Sequence, residues 1–105
     1  MKKSEMIKAM QDAEVSAWLA LAKYDLENKP VVTTWNEERA WAERDLGHTK
    51  LLNQWYGISM LLDSMSIDRP FGEKAAEATD INHEIWLREQ HAKGIYYDER
   101  GNRTA

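Results

Sequence analysis

Glu73, Glu77, Asp80 and Glu84 follow one another at spacings of four, three and four residues, with His83 beside the last. On a helix of 3.6 residues per turn those spacings put all four carboxylates in one row. Hard oxygen ligands arranged on helices can hold Mg²⁺ or Mn²⁺ against phosphates, as all-α metal-dependent nucleotide hydrolases do, and Glu77, Asp80 and Glu84 are the candidate ligands. The plainer reading is a solvated face on which Glu84 pairs with Arg88 one turn on. The plainer reading is preferred, because the hydrolase arrangement needs paired acids on two helices and Glu37, Glu38 and Glu43 do not repeat the spacing.

The three histidines, His48, His83 and His91, offer no pair at i, i+4 of the kind a zinc-binding helix carries. No serine stands in a context that suggests an activated nucleophile, and no cofactor is implied. His48 continues the line of Leu51 and Trp55, where an imidazole could titrate inside an interface.

Aromatic rings are the other chemically suggestive group, and five of them are tryptophans at 18, 35, 41, 55 and 86. Aromatic residues accompanied by arginine anchor protein interfaces. They also stack bases, but that use needs a basic track. Here 18 acidic residues outweigh 14 basic ones, the net charge is −4, and the one basic cluster is Lys2 with Lys3. Nucleic acid is therefore not an expected partner. Trp18 and Trp55 read as packing residues, whereas Trp41 lies among Glu37, Glu38, Arg39, Glu43 and Arg44 and reads as an exposed anchor. The candidate interface is Trp35, Trp41, Arg44, His48, Leu51 and Trp55.

Three helices must position these residues. The first, about 4–28, begins at Ser4 as N-cap and carries a heptad seam of Met6, Met10, Ala13, Ala17, Ala20 and Tyr24. A second apolar set, Val15, Trp18, Leu19, Ala22 and Leu26, implies two neighbours for its later half. Pro30 ends that helix through its effect on the preceding residue. Thr34 with Glu37 has the capping-box pattern and opens a second helix, about 34–66.

Inside 34–66 the apolar phase shifts. A face running from Trp35 through Ala42, Leu46, Tyr56 and Met60 gives way to a stronger seam of Leu51, Trp55, Ile58, Leu62 and Met65. A break near Gly47 would make a compact four-helix domain. A continuous rod is preferred, because one glycine without proline or a loop cluster rarely ends a helix. Such a rod would span about 50 Å, against about 33 Å for a compact globule of this length, so its apolar sides need a partner. The third helix, about 71–93, puts Phe71, Ala75, Ala78, Asn82 and Ile85 inward and closes at Gly94 with Ile95 behind it. An irregular C-terminal tail follows.

The expected fold class is all-α: a three-helix antiparallel bundle with a long central helix, one domain over 1–105. Without cysteine it holds together by packing alone. No apolar run approaches membrane-spanning length, so no membrane partner is expected and the location is read as cytoplasmic. These features point to a small acidic helical protein-interaction module, of adaptor or inhibitor type, that acts as a homo-oligomer and meets a further protein. The competing readings are the metal-dependent nucleotide hydrolase and a sensor that binds a small nucleotide between protomers.

Overall fold

The computed structural model describes residues 2–104, all helix and connection apart from one isolated β-bridge. Four helices form: α1 (Lys3–Asn28), α2 (Trp35–Arg44), α3 (Leu46–Ser64) and α4 (Glu73–Ala92). The expected rod over 34–66 is thus two helices, and the bundle has four members instead of three.

The break falls at Asp45, two residues before Gly47. Asp45 takes an extended conformation, φ −86° and ψ 101°, so its own N–H still closes α2 on Trp41 O while its side chain opens α3. Its Oδ1 accepts the His48 N–H at 2.9 Å, the usual service of an aspartate at an N-cap. The Tyr24 hydroxyl, reaching across from α1, donates to the same oxygen at 2.6 Å. Gly47 has a different purpose. A Cβ there would lie 2.5 Å from Tyr24 Cζ, so the glycine makes room for the ring that secures the break.

The other boundaries follow local chemistry. Thr34 accepts the Glu37 N–H at 3.2 Å, and Glu37 reaches back to the N–H of Thr33 at 3.0 Å, one residue further than a strict capping box. At the far end of α3, Ser66 takes φ 55° and Ile67 N–H returns to Leu62 O at 2.9 Å, a left-handed closure on a serine. α4 starts at Glu73, leaving Phe71 exposed on the connection, and Asn82 also faces solvent; neither joins the expected inward stripe. Its end does match expectation, with Gly94 at φ 78° and Ile95 N–H bonded to Gln90 O.

The described tail holds no helix or strand, but it closes on itself through a turn. Tyr97 bridges Arg103 in antiparallel sense around a turn in which Asp98 Oδ1 accepts the N–H groups of Arg100 and Asn102. The Tyr97 ring rests 5.1 Å from that of Trp86, which ties the turn to α4.

α1 is the hub. It packs against α3 on one side and α4 on the other, and α3 and α4 do not pack on each other. Glu14 meets Trp55 and Asp25 meets His48, so α1 and α3 run antiparallel. Asp12 meets Lys74 and Lys29 meets Glu89, so α1 and α4 run parallel. The apolar core lies mainly at the second contact, where Leu19 and Ala22 pack on Ala78 with Trp18 and Ile81 beside them. It is thus the second apolar set of α1, not the heptad seam, that faces the core. The result is elongated, 53 by 35 by 22 Å, with a radius of gyration of 16.3 Å, where about 13 Å is usual for this length.

Candidate interaction surface

Four of the six residues expected at an interface are drawn into the subunit. Trp41 is only 8% exposed, its ring 4.6 Å from that of His48. His48 Nδ1 lies 2.7 Å from Asp25 Oδ1, both side chains largely enclosed. Trp55 donates its indole N–H to Glu14 Oε1 at 2.8 Å, and Leu51 is half-buried beside it along α3. The polar neighbours that made Trp41 look exposed belong to the other faces of a short α2.

Trp35 and Arg44 stay outside. Trp35 is 68% exposed, with the Arg39 guanidinium 5.4 Å above its ring. Arg44 turns back along its own helix, donating from Nε to Ala40 O.

Around α1 and the start of α3 the side chains form a polar junction with clear electrostatics. Hydrogen bonding from the Tyr24 hydroxyl, then from the His48 N–H, holds the Asp45 carboxyl below its usual range. The same bond, helped by desolvation, raises the Tyr24 phenol above 10.0. Burial pushes Asp25 up, and its contact with His48 only partly offsets this. Near the end of α1, burial weakens the Lys29 ammonium, but hydrogen bonds to Glu38 and Glu89 outweigh it and leave the pKa raised. Lys29 thereby ties α1, α2 and α4 together.

A second polar junction lies towards the other end of α1. Glu14 is 5% exposed and is satisfied by Trp55 and by Arg69, whose Nε is 3.6 Å away; Arg69 also reaches Asp63 at 2.8 Å. Sequence reasoning passed over Glu14. The available signal was a carboxylate one heptad before Leu21, on the arc that meets α3. Beside it a groove of about 340 Å³ opens between Lys8, Gln11, Val15 and the Pro70–Ala75 stretch.

The acidic row does not converge. Glu77 pairs with Lys23 at 3.6 Å and Glu84 with Arg88 at 3.2 Å, while Asp80 faces solvent. Among the described residues no three His, Asp or Glu side chains come together as metal ligands would. The candidate ligands Glu77, Asp80 and Glu84 therefore lie along a solvated face. His83 and His91 stack instead on Trp86 and Tyr96.

The fold also leaves large apolar side chains outside. Met6 on α1 and Tyr56, Met60, Leu61 and Met65 on or next to α3 are each at least half exposed. The antiparallel register sets the end of α3 beside the first turns of α1, which brings Met6, Leu61 and Met65 to one end of the molecule. No described helix is long and apolar enough to cross a membrane. No protein-family model, curated protein or solved structure matches the chain.

Proposed function

We propose that this chain is a small acidic helical interaction module, of adaptor or inhibitor type, that works as a homo-oligomer. One observation supports the reading above the rest. The chain exposes 7523 Å² of surface, whereas a compact monomer of its mass exposes about 6,100 Å². Part of the difference is apolar side chain that a partner would cover: Met6, Tyr56, Met60, Leu61 and Met65 lie exposed, while among the described residues Leu62 is the one large side chain fully enclosed. The polar junctions support the same reading, since they hold α1 and α3 in a fixed relation and so keep the outward faces in shape for recognition. A net charge of −4 suits a basic surface on the further protein.

Light scattering coupled to gel filtration tests the reading. A mass of at least twice 12.2 kDa at micromolar concentration is expected. A mass that stays at one chain up to the highest soluble concentration would contradict it.

A further inference from the structure

We propose that two copies of this chain pair through α1, antiparallel, with the two-fold axis crossing near residue 15. The proposal deepens the self-association reading above and rests on it.

The first ground is a seam open from Met6 to Ala20. Met6, Met10, Ala13, Ala17, Ala20 and Tyr24 repeat at four, three, four, three and four residues, the 3.5-residue period by which one helix lies along another. Its last member, Tyr24, is engaged at the start of α3 through Asp45 and Gly47, and beyond α3 and α4 no described helix packs on α1. Glu14 and Asp25 turn to α3, while Asp12, Ser16 and Lys23 turn to α4. At 100° per residue those two sets leave one open arc on α1, centred near Ala13 and Ala20. Both alanines are exposed and Met6 is half exposed, with Met10 and Ala17 at the margin.

The second ground is fit. Pairing about residue 15 sets Ala13 against the partner's Ala17, Met10 against the partner's Ala20 and Met6 against the partner's Tyr24. Small residues then occupy the crossing point, where axes inclined at about 20° come closest, and larger ones fill the widening gap at each end. Leu61 and Met65 at the end of α3 flank the same end of α1 and add apolar surface to it.

The third ground is charge. The seam runs on by sevens to Lys3 at one end and Glu27 at the other, both exposed. Neither side chain has an ion pair or hydrogen bond within the described chain. An antiparallel pair sets Lys3 against the partner's Glu27, twice by symmetry, whereas a parallel pair would oppose like charges at both ends.

The absence of cysteine makes the register directly measurable. In an oxidised equimolar mixture of Ala13→Cys and Ala17→Cys chains, the disulfide between positions 13 and 17 is expected to exceed either like-with-like product by well over the twofold that random pairing gives. Ala13→Glu, at an exposed site, is expected to weaken association at least about 100-fold in sedimentation velocity, with helical circular dichroism unchanged. Lys3→Glu and Glu27→Lys should each weaken it about threefold, and the double exchange should restore it. A wild-type chain that is monomeric throughout would overturn both this geometry and the self-association reading. A wild-type dimer that ignores Ala13→Glu and forms mainly like-with-like disulfides would overturn the geometry alone and leave self-association standing.

Discussion

The two contacts of α1 are built on different principles. Against α4 it presents Leu19 and Ala22 to Ala78, an apolar contact between small side chains, with ion pairs only at the margins. Against α3 it presents Glu14, Tyr24 and Asp25, each hydrogen-bonded to one named group on or next to that helix. An apolar contact tolerates sliding as long as volume is conserved. A buried polar contact does not, because displacement by even one residue strands a donor or acceptor away from water. The α3 contact therefore fixes register while also enclosing Leu62, and the α4 contact works by burial alone at its centre.

That contrast can be broken from either side. The largest expected effect is Trp55→Ala, which removes a ring from the α3 contact and leaves the Glu14 carboxylate without its indole donor; urea unfolding should show a loss of about 3–5 kcal/mol. Ala78→Leu attacks the other contact by overfilling it, at a cost of about 1–3 kcal/mol, and here a compensating Leu19→Ala should recover part of the loss. No such volume trade is expected for Trp55, whose partner is a carboxylate.

Two glycines on one helix sharpen the point. Gly57 has open space where a Cβ would stand, so Gly57→Ala should stabilise α3 by about 1 kcal/mol in thermal unfolding. Gly47 faces the Tyr24 ring, so the same change there should destabilise despite the identical gain in helix propensity. Equal stabilisation from both would mean that Tyr24 does not hold the α2–α3 break.

The smallest effect is read in pH. Tyr24 keeps its proton in the folded chain above the value of 10.0 at which an unfolded chain loses it. Between those two points the folded state binds more protons, so stability falls as pH rises past 10.0. Tyr24→Phe removes that contribution, and its unfolding midpoint should decline less steeply over the same alkaline range than that of the wild type.

The sequence exposed the helices more readily than their joints. The seam residues of α3, the threonine cap of α2 and the glycine closure of α4 are all local devices, legible in composition and spacing. The break at Asp45 is half local. Aspartate as N-cap could have been read there, but the hydrogen bond that secures it comes from Tyr24, twenty-one residues earlier, and no helical periodicity encodes that reach. The same blind spot moved Trp41 to the outside on paper. Its neighbours Glu38, Arg39 and Glu43 are polar because α2 is short and mostly solvated, while Trp41 alone turns in to meet His48. The heptad of α1 was legible as a seam, but its direction was not. Which of two apolar stripes meets the core depends on where α3 and α4 land, and the hydrogen bonds of Glu14 and Asp25 decide that.

Melting temperature as a function of protein concentration tests most directly whether the outward seam of α1 is an interface. Association of folded chains stabilises them by mass action, so the midpoint should climb steadily as concentration is raised through the micromolar range, and that climb should vanish in Ala13→Glu. A wild-type midpoint that does not move with concentration would contradict it.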